Sequence, residues 1–274
     1  LAIRARPDSA DGSTIRINGD VVEVGKSVSS KTARRVAVVI SLIVGVIFGS
    51  QFNANWSEIL LMFNAQSFGT TDPQFGLDNG FYVFVLPGLK LVLAAVAMLL
   101  GVGLVFSVVT HVLMGGIRIT MPVNGRGLFS ITKRCRRQLG IWLMLNMFAW
   151  AVRQMIGVFD QLTVQGSRIT GASYTAVHAN IPVTFIMAAL TAILGVVLGI
   201  WLMRSHTLEG QASIGVRASA ALKAWRVPVT SIAVVVVVGL VLTVAWPVLL
   251  QRFRVNPNAQ EMESTYIQRN IDAT

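Results

Sequence analysis

Five long apolar runs restrict what this chain of 274 residues can fold into. They cover residues 36–53, 86–113, 139–159, 182–203 and 228–250. A helix needs roughly 20 apolar residues to cross a hydrocarbon core. Because lipid offers no partner to an exposed backbone, even the β-branched run Ile232–Val238 has to be helical there. We therefore predict an all-α fold, a polytopic transmembrane helix bundle with about five membrane-spanning helices.

The composition fits a membrane protein and argues against a soluble globule. Hydrophobic residues make up 54% of the chain and charged residues only 13%, which is too few charges to cover the surface of a soluble domain. The formal net charge is +11, but no basic patch is interleaved with aromatic residues in a nucleic-acid-binding fold. We therefore expect membrane lipids with anionic headgroups as partners of the basic loops, and no nucleic acid.

The positive charges alternate along the chain and predict its orientation. Seventeen of the 23 Lys and Arg residues lie in the segments 1–35, 114–138 and 204–227. Only four lie in the alternating segments 54–85, 160–181 and 250–274. Short basic loops stay on the cytoplasmic face of a membrane. The N-terminus is therefore predicted inside and the C-terminus outside.

The spans divide the chain into a cytoplasmic segment 1–35, a transmembrane domain 36–250 and the start of an extracytoplasmic region 251–274. In the first segment, Thr14–Val24 alternates on both sides of Asn18 and Gly19, which predicts a small β-hairpin with a type I′ turn. The apolar stretch Trp56–Phe63 is too short to span a bilayer. It predicts an interfacial helix on the outer face.

Two basic residues, Lys90 and Arg153, lie within the apolar runs. A charge near the centre of a span costs about 2.5–3.5 kcal/mol on insertion scales. One interpretation is that both side chains reach toward the outer headgroups, Arg153 with the help of Asp160 further along the same helix. The other is an ion or substrate pathway through the helix bundle.

The sequence contains no recognisable catalytic, cofactor-binding or metal-binding motif. His111, His178 and His206 are distributed between an inner membrane end, an outer loop and a cytoplasmic loop, so they cannot share a metal ion. No nucleophile elbow, phosphate-binding loop or zinc motif is present. We therefore expect no cofactor, and no enzymatic activity in this segment.

Asp72 and Asp78 lie in the first outer loop, where carboxylates suit either a calcium site or turns. The loop lacks the dense pattern of oxygen ligands found in an EF-hand. The Asp72-Pro73 pair and the nearby Gly76 and Gly80 are typical of turns. Turn formation is therefore the favoured role of both carboxylates.

Two pairs of glycines have the four-residue spacing that permits close approach of helices. They are Gly45 with Gly49 in the first span and Gly195 with Gly199 in the fourth. Packing within one molecule is favoured over dimerisation as the reason for this spacing.

Five ordered stretches resemble a known family. They are SFGTTDPQFGLDNGFYVFVLP at Ser67–Pro87, THVLMGGIR at Thr110–Arg118, GASYTAVHA at Gly171–Ala179, PVLLQRFRVNPN at Pro247–Asn258 and ESTYIQRNIDAT at Glu263–Thr274. Together they resemble the uncharacterised protein family (UPF) 0182, large multi-pass membrane proteins of actinobacteria and some other bacteria. The sequence departs from the family at Ala176, where members often have Asp, and at Arg153, where Lys is common.

The resemblance implies a location in the bacterial plasma membrane, further spans before the part matching Leu1, and a large extracytoplasmic domain after the part matching Thr274. It also directs attention to Tyr174 and His178, which lie in one of the matching outer stretches. Because the stretches concentrate on outer loops, we expect a non-enzymatic anchor or assembly module for an extracytoplasmic domain or envelope complex. An envelope protein or a second copy of the chain is the expected protein partner. The alternative is a transporter or lipid-handling protein that uses Arg153 and Lys90.

Overall fold

The computed structural model describes residues 14–17, 20–23, 30–114, 116–119, 129–163, 171–205 and 214–273. Within these residues the fold is helical, as predicted, with two short two-stranded sheets. The helices are α1 Ser30–Ala54, α2 Trp56–Phe63, α3 Leu86–Leu113, α4 Lys133–Gly157, α5 Ile181–Arg204, α6 Ile214–Leu240, α7 Trp246–Leu250 and α8 Ala259–Ala273. The strands are β1 Thr14–Ile17, β2 Asp20–Glu23, β3 Ile117–Ile119 and β4 Phe129–Ile131.

Four helical segments in the described part of the chain are long and apolar enough to cross a membrane. They are Phe81–Leu113, Lys133–Leu162, Ala176–Arg204 and Trp225–Val255. They correspond to the second to fifth apolar runs, whereas the first run lies in α1, which is not among the four. Each carries exposed apolar side chains, among them Val105, Phe148, Ile193 and Val237. A bilayer would cover such a surface.

The chain divides into two compact units. Unit 1 comprises Leu1–Gln51, Leu99–Met144 and Leu198–Pro228, and unit 2 comprises Phe52–Met98, Leu145–Val197 and Val229–Thr274. Unit 1 contains all three basic segments of the sequence, 1–35, 114–138 and 204–227, and therefore holds 17 of the 23 Lys and Arg residues. The positive charge is therefore concentrated in one of the two units.

The core of unit 1 forms around a sheet that the sequence did not predict. The strands β3 and β4 pair antiparallel, with Ile117 opposite Ile131. These two side chains are buried together with Cys135 and Leu139 of α4. The short β3–β4 pair thus closes an apolar cluster at the start of α4, where Cys135 is fully buried.

Glycines allow α4 and α5 to approach closely in unit 1. A Cβ atom on Gly199 would lie 2.9 Å from the carbonyl oxygen of Gly140, and one on Gly140 would lie 2.8 Å from that of Gly199. Gly199 of the predicted pair therefore packs closely within the molecule. Gly45 has no atom within 4 Å of such a Cβ position.

The β1–β2 pair coincides with the stretch for which the sequence predicts a hairpin. The strands pair antiparallel with Ile17 opposite Asp20. The predicted turn at Asn18 and Gly19 lies outside the described residues. The stretch Trp56–Phe63 is helical, as predicted, and forms α2, whose Phe63 is 76% exposed.

The described residues of unit 2 include four π-helical turns, which are Phe81–Val85, Ala176–Asn180, Val241–Ala245 and Gln251–Val255. Each such turn is wider than an α-helical turn and is common at functional sites. The buried side chains Ala176, Ala179 and Val255 lie on two of them. The turns Ala176–Asn180 and Gln251–Val255 therefore form part of the packed interior of unit 2.

Candidate functional site

The connection from α2 to α3 folds around the carboxylate of Asp78. Its two oxygens accept the N–H groups of Phe68, Gly69 and Gly80 at 3.0, 3.0 and 2.7 Å, and the hydroxyl of Ser67 at 2.5 Å. These hydrogen bonds, that from Ser67 first, lower the pKa of Asp78 to about 2. Asp78 therefore ties the start of the loop to its end.

Asp72 organises the middle of the same loop. Its carboxylate is buried and accepts the N–H groups of Gln74, Phe75 and Leu77 at 2.7, 2.7 and 3.1 Å, and the hydroxyl of Tyr82 at 2.8 Å. Each carboxylate oxygen of Asp72 and Asp78 thus accepts two hydrogen bonds from groups in the connection between α2 and α3. Both carboxylates accept hydrogen bonds from the backbone of this loop. In the described part of the chain, no group of three or more His, Cys, Asp or Glu residues is arranged to hold a metal ion.

The lowered pKa of Asp78 predicts how the loop responds to acid. A carboxyl group with a folded-state pKa near 2 and an unfolded value of about 3.9 stabilises the fold above about pH 4, and loses this contribution as the pH falls toward 2. We expect the ¹³C NMR signal of this carboxyl group, assigned by its loss in Asp78→Asn, to titrate near pH 2. A midpoint at the unperturbed value of about 3.9 would contradict the hydrogen-bonded loop.

Aromatic side chains attach the loop to the end of the third predicted span. The ring of Phe159 lies edge to face with Phe75, Phe81 and Tyr82, at centroid distances of 5.0, 5.3 and 6.3 Å. Such pairs stabilise by about 0.5–1.5 kcal/mol each beyond the area that they bury. The loop is therefore a packed structure attached to the helix ends.

A second group of contacts holds α8 against the π-helical turn Ala176–Asn180. The ring of Tyr174 stacks on His178 at 4.1 Å and meets Tyr266 of α8 edge to face at 6.2 Å. The hydroxyl of Tyr266 lies 3.5 Å from Nδ1 of His178. Burial raises the pKa of the Tyr266 hydroxyl above its ordinary value. The predicted candidates Tyr174 and His178 thus form one cluster with a residue of α8.

Glu263 anchors the same helix from its buried face. Its carboxylate is 8% exposed and accepts the N–H of Tyr174 at 3.2 Å. Beside it, the hydroxyl of Thr175 donates to Oε1 of Gln251, whose amide donates to Asn256 at 3.1 Å. The start of α8 is therefore connected to the 171–180 segment by polar as well as aromatic contacts.

Lys90 and Arg153 come together at a cavity of about 230 Å³ in unit 2. The residues lining it are Lys90, Leu93, Arg153, Ile156, Gly157 and Asp160. Nζ of Lys90 lies 2.8 Å from Oδ1 of Asp160. The structure therefore corrects the partner predicted for Asp160, which pairs with Lys90 and not with Arg153. The reason is that α4 ends at Gly157, and Asp160 lies in the 3₁₀ turn Val158–Leu162, which does not continue the α-helical periodicity.

The comparisons with known proteins agree with the resemblance of the five stretches. A family model described as "Uncharacterised protein family (UPF0182)" matches residues 2–274. The chain belongs to this family.

Three curated relatives of this UPF0182 chain come from actinobacteria. It is 79% identical over 274 residues to a UPF0182 protein of Bifidobacterium adolescentis, covering all of this chain and 25% of that protein. It is 30% identical over 278 residues to one of Corynebacterium efficiens, with the same shares, and 29% identical over 276 residues to one of Mycobacterium bovis, of which it covers 26%. The chain thus spans about a quarter of the length of the curated relatives that it matches. No solved structure matches it.

Three residues of the UPF0182 site were missing from the sequence-based candidates. Glu263 and Tyr266 lie in the matching stretch Glu263–Thr274, and Gln251 lies in Pro247–Asn258. Their positions in family-like stretches were the only indication. Glu263 and Tyr174 are separated by 89 residues in the chain, and no spacing rule connects them.

Proposed function

We propose that this UPF0182 chain is a non-enzymatic membrane module that holds α8 at the outer surface of the plasma membrane. In this role α8 is the docking element for an extracytoplasmic domain or a partner of an envelope complex. Concentration of 17 of the 23 Lys and Arg residues in unit 1 supports the orientation, since short basic segments stay inside. On that orientation the loop 67–80, the Tyr174 cluster and α8 all face outward.

The observation that carries the proposal is the attachment of α8 to the helix ends. A buried carboxylate, Glu263, is used to bind the backbone at Tyr174. The stacked pair of Tyr174 and His178 contacts Tyr266 from the side. Contacts of this kind restrict the position of a helix that is outside the apolar spans.

Two exposed apolar side chains of α8 suit a protein partner. Ile267 and Ile271 are 38% and 61% exposed and are spaced by one helical turn. Exposed polar residues flank them, including Ser264 and Gln268. An apolar pair with a polar rim is typical of a small protein interface.

Removal of the Glu263 carboxylate should loosen α8. We expect Glu263→Ala in the full-length protein to raise the amide hydrogen exchange of residues 259–273 at least about tenfold, because a hydrogen bond to a charged group contributes about 1.5–3 kcal/mol. The matched control is Glu261→Ala, an exposed glutamate on the same helix. It should change exchange by less than about threefold, the scale of a first-turn carboxylate on the helix dipole. Equal exchange in both variants would contradict the attachment.

The proposed docking role is tested by identifying the proteins that copurify with the full-length protein from its native membrane. We expect an envelope protein, or a second copy of the chain, to copurify with the wild type and to be reduced in Ile271→Asp, with Glu261→Ala as the unchanged control. The proposal fails if only isolated protomers are recovered and cells lacking the protein keep every envelope complex intact.

The alternative function is a transporter or lipid-handling protein. The cavity beside Lys90 and Arg153 is the observation that favours it, since a polar cavity at these residues is what that function requires. Transport activity in reconstituted vesicles that is lost in Arg153→Leu would support this alternative, and full activity in that variant would count against it.

A further inference from the structure

We propose that the cavity between α3 and the end of α4 binds the phosphate of an anionic phospholipid, with Arg153 and Lys90 as the cationic contacts. The inference does not depend on the docking role of α8. It rests on the charge, depth, space and apolar walls of this cavity.

The side chains that line the cavity carry more positive than negative charge. Lys90 is paired with Asp160, and their side chains are 47% and 35% exposed. Over the residues that the structure describes, no hydrogen bond or ion pair joins Arg153 to another side chain. The lining therefore carries one excess positive charge, and a phosphate diester would neutralise it. Arginine suits this role because its planar guanidinium forms paired hydrogen bonds to phosphate oxygens.

The depth of the cavity matches the headgroup region of a bilayer. The segment Phe81–Leu113 has 33 residues, so its length of about 50 Å exceeds the hydrocarbon thickness of about 30 Å by roughly 10 Å at each end. Lys90 lies nine residues after Phe81, and Arg153 nine residues before Leu162. The Cα atoms of both residues therefore lie near the edge of the hydrocarbon core. From there the long side chains of Lys and Arg reach headgroup phosphates.

The cavity has room for a hydrated phosphate and an apolar side for the rest of a lipid. Its volume of about 230 Å³ is far above the roughly 10–15 Å³ that admits one water molecule. A Cβ atom on Gly157 would meet no atom within 4 Å, so this glycine leaves the cavity open. Leu93 and Ile156 supply apolar wall, and Met155 on the neighbouring surface is 46% exposed. This combination favours a lipid over free phosphate.

The test uses the full-length protein in detergent, with lipid binding measured by native mass spectrometry. The probes are dioleoyl phosphatidylglycerol and dioleoyl phosphatidylcholine, which share acyl chains and differ in net charge. We expect Arg153→Gln to weaken phosphatidylglycerol binding about tenfold, the scale of one charge-assisted hydrogen bond. Arg153→Lys keeps the charge but not the paired hydrogen bonds, so it should restore part of the binding. Gly157→Leu keeps every charge and fills the cavity, and it should weaken binding by a similar factor.

The control is Arg254→Gln, which removes an equal charge from an exposed arginine of unit 2 and should leave binding unchanged. Unchanged thermal midpoints without added lipid would show that the variants are folded. Equal affinity for the two lipids, or unaltered binding in both Arg153→Gln and Gly157→Leu, would overturn the site. Displacement of phosphatidylglycerol by inorganic phosphate at equal concentration would overturn the assignment to a lipid.

Discussion

Replacement of Gly199 by leucine should lower the thermal midpoint of the purified full-length protein by several degrees. The new side chain would enter the contact between α4 and α5, where its Cβ lies 2.7 Å from Cε of Met144 and 2.9 Å from the carbonyl oxygen of Gly140. The methionine can move, but the backbone oxygen cannot without shifting a helix. Overpacking of this kind costs about 1–3 kcal/mol.

The matched control is Gly45→Leu in α1. This glycine is also in an apolar helix, but no atom lies within 4 Å of its Cβ position. We expect its thermal midpoint to equal that of the wild type. Equal losses in the two variants would mean that the effect comes from the helix backbone or from lipid contacts, and would contradict the close packing at Gly199.

Substitution of Asp72 by alanine should unfold the loop between α2 and α3. It would leave three backbone N–H groups and the hydroxyl of Tyr82, all partly buried, without their acceptor. Each unsatisfied buried group costs about 1–3 kcal/mol, so the total exceeds what a short loop can sustain. We expect limited proteolysis between residues 67 and 80 to accelerate by at least about a hundredfold, equivalent to roughly 3 kcal/mol of local stability.

Asp160→Ala is the control for this variant, since it also removes one carboxylate from unit 2. Its pair with Lys90 is partly exposed, and exposed ion pairs contribute about 0–1 kcal/mol. Cleavage of the loop should change little. If Asp72→Ala were cut no faster than Asp160→Ala, the loop would not depend on the buried carboxylate.

The helices were the part of the fold that the sequence predicted best. The second apolar run and α3 have the same limits, Leu86–Leu113, and the short run Trp56–Phe63 is α2. Both are local patterns, in which hydrophobicity alone determines the structure. The alternation of basic and non-basic segments is likewise a pattern along the chain, which can be read without knowing any tertiary contact.

Contacts between distant parts of the chain were not predictable in the same way. The pair of Lys90 and Asp160 joins residues 70 positions apart, and the 3₁₀ turn after Gly157 leaves no periodic signature. The β3–β4 sheet has strands of three residues each, too short to show alternation. Glu263 was overlooked because a single acidic residue in a polar stretch resembles an ordinary surface residue.

The family-like stretches identified some of the residues that take part in these long-range contacts. Tyr174 and His178 were candidates only because of the stretch Gly171–Ala179, and the structure stacks them on each other beside α8. Residues that act together through tertiary contacts can thus be located by motif, while their partners and geometry require the fold.

The most direct test of the proposed outward-facing module is cysteine labelling in intact cells. In the full-length protein with Cys135→Ser and any other cysteines replaced, Thr265→Cys places a thiol on the exposed part of α8, and Thr132→Cys places one beside β4 of unit 1. A membrane-impermeant maleimide should label position 265 in intact cells and position 132 only after the membrane is opened. Labelling of position 132 in intact cells with protection of position 265 would reverse the orientation and contradict the proposed role.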